Sequence, residues 1–405
     1  MKRSTRPVSA RVLSMPVGCG DTAEVRYPRA EGLSAVAGRE VEDQTTWEAL
    51  LRSPVPLHSL RLQALDLVGH PQRELLLARE DLTDIVVLGG RLDKEVEAHL
   101  RAHGSIVFPP APHAPVDPYR ARLYTAQELY AGLEHDGYAA TVDARTYQWF
   151  ENAALRHDAY VTALRAIHDD AMSDALAHVV EGRRVVGVMG GHALRRGTDD
   201  YAAAALLGHR LAQTDTLVVT GGGPGAMEAA NLGAWAADED ELIGALHALA
   251  SVPDFSPDIG AWVRPALDFR LQAYDRPGPR PLRSLGIPTW YYGHEPPNAF
   301  AQLIAKFFSN ALREDLLMAH CGGGLVVLPG AAGTVQEIFA MATRLYYAVE
   351  ATDAPLAPLV LVGRAQWTQQ LPVWPVLRAL GKGRRMASAI HLVDTVGEAA
   401  ALLAP

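Results

Sequence analysis

Cysteine is nearly absent: Cys19 and Cys321 are the only two in 405 residues. They are too few and too far apart for a disulfide framework or a cysteine-rich zinc site, so a reducing cytoplasm is the expected home. Long apolar runs are missing as well. None reaches the roughly 20 residues of a membrane span, and the basic N-terminus MKRSTRPVSARVLSMPVG has no apolar core of signal-peptide length. Neither export nor insertion is expected. Positive charge is in deficit: 46 acidic against 37 basic residues leave a net charge of −9, the wrong sign for gripping a phosphate backbone nonspecifically. Nucleic acid is not expected as a main partner. The G-x-S-x-G, H-E-x-x-H and P-loop lysine patterns are absent too, so serine hydrolase, zincin and kinase readings lack their residues. No metal and no cofactor are implied.

What is present suits a large globular protein. With 49% hydrophobic and 20% charged residues, the chain can bury a sizeable core and is expected to form two domains, 1–150 and 151–405. Residues 1 to about 45 are polar and broken by Pro and Gly, reading as an arm. Asp84–Leu88, the charged segment to Leu100 and Ser105–Phe108 read as strand, helix and strand of a small α/β unit. From 144 to 180 the spacing of Phe150, Leu155, Tyr160, Leu164 and Ile167 predicts one long helix bridging the domains. Beyond 183 come repeated strand, glycine turn and helix units. Arg184–Met189, Thr216–Thr220, Ile243–Leu249, Pro288–Tyr292, Leu325–Leu328, Pro358–Val362 and Ile390–Val393 are the strand candidates. Short unalternating apolar strands between helices predict a doubly wound, Rossmann-like parallel sheet covered on both faces.

Glycine turns follow three of these strands: Gly190-Gly191, Gly221-Gly222-Gly223-Pro224-Gly225 and Pro329-Gly330-Ala331-Ala332-Gly333-Thr334. A glycine turn feeding a helix exposes amides at the positive end of the helix dipole, a ready seat for phosphate. Gly221, Gly223 and Ala226 also satisfy the dinucleotide fingerprint, with Asp240 or Glu241 where a ribose-binding carboxylate is sought. The bland alternative, that glycines merely allow close packing, does not account for two such rich turns. Glu337 has a bland reading as well, because Thr334-Val335-Gln336-Glu337 has the spacing of a capping box.

VTGGGPGAMEAAN (219–231) paired with PGAAGTVQE (329–337) resembles the LOG (Lonely Guy) family of nucleoside 5′-monophosphate phosphoribohydrolases, whose hallmark is P-G-G-x-G-T-x-x-E. EPPNAFAQLIAKFFSNALRED (295–315) is similar to the longer bacterial members, the pyrimidine/purine nucleotide 5′-monophosphate nucleosidases. The resemblance covers residues 183 to about 365 and touches the N-terminal region only loosely. It implies a catalytic pair, Glu337 and Arg313, and a phosphate seat from Gly221, Gly222, Gly223, Gly225, Gly330, Gly333 and Thr334. Gly191, His192, Met227 and Asn298 are further candidate substrate contacts. His192 can donate to a phosphate or ride on its turn, and Asn298 is a helix N-cap or a ligand contact. Two departures stand out. Ala331 replaces the second glycine of the hallmark, and counting back from Pro329 places Glu314 at the arginine position unless Cys321–Gly324 holds an insertion.

The activity implied is hydrolysis of the N-glycosidic bond, with a carboxylate near the sugar stabilising the cationic ring and activating water. A non-catalytic nucleotide-sensing module and a dinucleotide-dependent oxidoreductase are the alternatives. Adjacent His320 and Cys321 do not make a nucleophilic pair, since neighbours on a helix point apart. Phe300, Leu303, Ile304, Phe307 and Phe308 have the spacing of a helix face, and with the family's habit of association they predict a homodimer or higher homo-oligomer.

Overall fold

The computed structural model describes residues 40–274, 280–293, 295–348 and 355–404, so most of the expected N-terminal arm lies outside the described residues. Two wholly parallel sheets organise the chain. The first, in order β1-β2-β3-β4, joins Glu40–Val41, Arg61–Gln63, Val86–Leu88 and Ile106–Phe108. Trp47, Leu57, Leu62, Leu76, Ile85, Val87, Val96 and Leu100 form its own core.

The second sheet has seven strands: β5 Arg184–Met189, β6 Thr216–Thr220, β7 Ser284–Gly286, β8 Leu303–Ile304, β9 Leu325–Val327, β10 Leu359–Val362 and β11 Ile390–Val393. Their order is β11-β10-β9-β5-β6-β7-β8, every pair parallel. This is the doubly wound α/β arrangement expected. Its strands are apolar at successive positions because helices cover both faces. The chain leaves β5 toward β6 and later returns to β9 on the other side of β5, so the winding reverses there and opens a crevice beyond the carboxyl ends.

Four expectations change. Ile243–Leu249 belongs to the helix Glu239–Leu249, begun by the Asp238 side chain accepting from the Glu241 amide; Leu242, Ala245 and Leu249 turn inward while Ile243 faces out. Pro288–Tyr292 forms no strand beyond a single bridge, Thr289 to Phe307, since the strand of this region is β7 just before it. The long helix is two, Val142–Glu151 and Ala159–Val180, the second restarted by its own N-cap Asp158. The stretch 300–308 is not helical: it runs through β8, and Phe300, Ile304, Phe307 and Phe308 are interior. Its apolar residues are buried except for half-buried Leu303, so their spacing mimics a helix period without making one. Four of the five residues behind the expectation of a homo-oligomer are thus packed inside the chain, and Leu303 is half-buried.

Residues 116–133 pack into the larger core. Tyr124 exchanges two backbone hydrogen bonds with Ile304 at the β8 edge, 2.9 and 2.8 Å. The fully buried Lys306 ammonium and the Trp290 indole both donate to Asp143 Oδ1, at 2.6 and 2.9 Å. No helix among the described residues is long and apolar enough to cross a membrane.

Candidate functional site

The three glycine turns meet at the carboxyl edge of β9, β5 and β6 and are stitched together by backbone. Gly191 N donates to Pro329 O at 3.0 Å, and Gly191 O accepts from Ala226 N at 3.1 Å. Gly225 takes φ +72°, and a side chain there would press on the carbonyl oxygens of Gly191 and His192 at 2.5 Å, so only glycine lets the turns approach this closely. Turn 221–225 is buried throughout, and much of its backbone is engaged by protein. Gly222 N donates to Thr220 Oγ1 at 2.9 Å, and Gly222 O accepts from Asn298 N at 2.8 Å. Asn298, fully buried, gives its amide protons to Gly223 O (3.1 Å) and Asn231 Oδ1 (2.9 Å), while its Oδ1 accepts from the Phe300 and Ala301 amides. Its side-chain amide is fully occupied within the protein, tying the turn to Asn231 and to the 300–301 segment.

The turn after β9 is different. The helix Ala332–Tyr346 begins with Ala331 as N-cap and no side-chain cap, and residues 331–333 are exposed. Its first amides therefore face solvent at the positive end of the dipole. Thr334 is buried beneath them. Of the two turns expected to grip one anion, this one presents an open helix end. Ala331 has φ −115°, a backbone any residue adopts, so the family's glycine is not needed there for conformation. Because the helix starts at Ala332, Glu337 lies in its second turn and forms no capping box with Thr334.

Glu337 is 8% exposed, and no hydrogen bond to its carboxylate occurs among the described residues. Its nearest cation is Arg313, with Nη1 3.9 Å from Oε1. Arg313 sits on the helix Asn310–His320, and its guanidinium ties the elements of the crevice together. Nε donates to Ile287 O beyond β7 at 2.6 Å, Nη2 to Gly221 O beyond β6 at 3.2 Å, and Nη1 to Glu314 Oε1 at 2.6 Å. The bare face of Gly221 leaves room for this: a Cβ would overlap the guanidinium and sit 2.7 Å from Met227 Sδ. Both residues of the sequence register, Arg313 and Glu314, thus reach the site, with Arg313 the one that faces Glu337. Burial pushes the Glu337 carboxyl up to about 8; Arg313 opposes this, while Glu314 and Glu295 add to it.

Glu295 is a member the sequence did not single out. Its Oε1 lies 2.8 Å from His192 Nδ1, and this hydrogen bond raises the histidine above its ordinary range. His192 also borders a cavity of about 360 Å³ walled by Phe255, Ile259 and Trp262, with Arg195 and the Pro224–Gly225 turn around it. Its floor is a buried ion pair, Arg196 Nε donating to Glu228 Oε2 at 2.9 Å, with the guanidinium 4.4 Å from the centre of the Trp262 ring. No local motif marks these residues; the fold alone gathers them.

Other candidates lie elsewhere. Glu241 is buried and paired with Arg280 at 2.7 Å. Cys321 donates to Leu317 O at 3.0 Å, and burial pushes its thiol up to about 12, so it is no nucleophile beside His320. Among the described residues no cluster of His, Cys, Asp and Glu could hold a metal ion.

Residues 183–251 match the model of the SLOG cluster4 family, a span that includes β5, β6 and the 221–225 turn and stops short of Arg313 and Glu337. No curated protein matches the chain. Among solved structures it is similar to the molybdenum cofactor binding protein from the phototrophic bacterium Rippkaea orientalis, at 14% identity, covering 55% of this chain and 96% of that one, with a TM-score of 0.31.

Proposed function

We propose that the chain hydrolyses the N-glycosidic bond of nucleoside 5′-monophosphates, releasing free base and ribose 5-phosphate. The observation that carries this reading is Glu337: a buried carboxylate without a hydrogen bond, beside Arg313, on the helix whose uncapped N-terminus opens to solvent. Five residues separate Ala332 from Glu337, roughly 7 Å along a helix axis. That span is commensurate with the distance from a 5′-phosphate to the anomeric carbon. With phosphate on the amides of residues 332–334, the ribose lies over Glu337. Positive charge developing at C1′ as the bond to the base breaks is met by the carboxylate, which takes a proton from the attacking water, while the base departs with the electron pair and gains a proton. With the carboxyl held near 8, the ionised fraction that can act as the base grows as pH rises through neutrality. Arg313 holds the strand ends in place and favours the ionised form. The aromatic cavity beside His192 is the place for a base.

Incubation with a panel of nucleotides, with free base and ribose 5-phosphate measured by chromatography, tests the reading; intact nucleotide after prolonged incubation refutes it. Binding without release would make the same site a nucleotide sensor, the reading favoured by Arg313 lying closer to Glu314 than to Glu337. The oxidoreductase reading loses Glu241, which a ribose hydroxyl would need and Arg280 occupies.

A further inference from the structure

The helix that carries Arg313 is not started by its own sequence alone. Ser309, its N-cap, accepts from the Leu312 amide through its side chain at 3.3 Å and from the Arg313 amide through its carbonyl at 3.1 Å. The Ser309 and Phe308 amides are in turn held by one carboxylate from a distant helix. Asp169, 4% exposed, accepts from Phe308 N with Oδ1 at 2.8 Å and from Ser309 N with Oδ2 at 2.7 Å. Behind it stands fully buried His168, with Nδ1 3.3 Å from Asp169 Oδ1 and Nε2 2.8 Å from the Tyr124 hydroxyl. Burial favours neutral His168, so Nδ1–H donates to the carboxylate and Nε2 accepts from Tyr124. Both oxygens of Asp169 are thereby committed to one task, fixing where the Arg313 helix begins.

We propose that Asp169 is a positioning residue for Arg313, acting through the first turn of the Arg313 helix and so setting the distance between Arg313 and Glu337; this rests on the hydrolase reading of the site. The arginine cannot slide independently of its helix. Its guanidinium is held by the Ile287 and Gly221 carbonyls, and a shift at Ser309 is transmitted to Arg313 one turn on. Glu337 reports such a shift, because Arg313 is the one neighbour favouring its ionised form, against Glu314 and Glu295. The Glu337 charge also acts on Cys321, which burial keeps protonated. The groups facing Asp169 are His168 and, through it, Tyr124, Arg120 and Asp117; none of them touches Glu337.

The test substitutes Asp169→Asn, which replaces one acceptor with an NH₂ group aimed at a backbone N–H. Two readouts are taken. The first is the pH dependence of kcat and KM on a nucleoside 5′-monophosphate, where displaced Arg313 should lower kcat about 10- to 100-fold and move the limb assigned to Glu337 to higher pH. The second needs no turnover: the upper pH at which the stability gap between the native chain and Glu337→Gln stops growing, measured with and without Asp169→Asn, should rise by about one unit. Lack of activity in the native chain refutes the hydrolase reading and leaves the second readout to decide the role of Asp169. A folded Asp169→Asn protein with both readouts unmoved overturns the proposal, whatever happens to its melting temperature. If that variant does not fold, Asp169→Glu keeps both oxygens one methylene further out and should shift the readouts the same way; unchanged values overturn the proposal equally.

Discussion

Replacing Glu337 by Gln should make the protein more stable as it makes it inactive. Burial carries this carboxyl from the ordinary 4.5 to about 8, so the folded state binds the proton more tightly than the unfolded chain does. Between those two pH values the folded state therefore holds more protons, and stability is lost as pH rises through the window. Below 4.5 the carboxyl is protonated in both states and the loss vanishes. Glutamine stays neutral at every pH and keeps nearly the same volume. At pH 7 the difference amounts to roughly 3.5 kcal/mol, from about 2.5 pH units at ~1.4 kcal/mol each. Arg313 stands 3.9 Å away, and any closer approach would recover part of the cost, so the figure is a ceiling. At roughly 2 °C per kcal/mol, Glu337→Gln should melt up to about 7 °C higher at pH 7, match the native protein near pH 4, and gain most above pH 8. Turnover should fall about 100- to 10,000-fold, as for loss of a general base. Melting curves of the two proteins across pH 4–9, paired with base-release rates, decide it. A gap that does not change with pH would show that Glu337 is not held protonated by burial. Near-native turnover would remove it from the chemistry.

Arg313→Ala should abolish most turnover and raise the proton affinity of Glu337 further, whereas Glu314→Ala frees Arg313 for Glu337 and should move the rising limb of the pH–rate profile to lower pH with kcat retained; pH–rate profiles of both variants check the ranking, and the opposite order would return Glu314 to the working position. Gly221→Ala should displace the Arg313 guanidinium and depress kcat more than KM, because the added methyl falls on Arg313 and Met227 rather than on solvent; steady-state kinetics with unchanged parameters would refute that packing argument. Nucleosides should be cleaved at least 100-fold less efficiently than their 5′-monophosphates, since charge-assisted contacts to a phosphate are worth roughly 1.5–3 kcal/mol each; comparable rates on adenosine and AMP would remove the helix end as anchor.

Much of the sheet was legible because its strands are buried on both faces: Arg184–Met189, Thr216–Thr220 and Ile390–Val393 show short apolar runs bounded by turns, and the structure places strands there. The same rule misled at 243–249, where the better signal was Asp238 with three acids in the first turn after it and the inward Leu242, Ala245 and Leu249. At 300–308 the error ran the other way. Near-complete burial removes the polar face that would distinguish a helix from an extended segment, and Asn298 after two prolines, a helix-start signal, reinforced the wrong reading. Glu337 was legible as a candidate from the turn before it, but its partners were not. Nothing local tells that Glu295, 42 residues back, and Glu314 crowd the same carboxyl, nor that Gly221 is bare to admit an arginine from residue 313.

The crowding itself says how the site is balanced. Two carboxyls, Glu314 and Glu337, share one buried arginine, Glu314 at 2.6 Å and Glu337 at 3.9 Å, while a third, Glu295, is held to His192 at 2.8 Å and acts on Glu337 through its charge. Glu337 is left with burial as its dominant influence and keeps its proton up to about 8. Such a site responds to small displacements, because moving Arg313 from Glu314 toward Glu337 strengthens the one neighbour that favours ionised Glu337. A substrate that drew the Glu314 carboxylate away, through a ribose hydroxyl for example, would release Arg313 to Glu337 and generate the base only when the nucleotide is in place. Glu314 Oε2, buried without a hydrogen-bond partner among the described residues, is the group available to accept that hydroxyl. Ionisation of Glu337 would then follow occupancy of the site, and water near the empty crevice would meet a protonated, unreactive carboxyl.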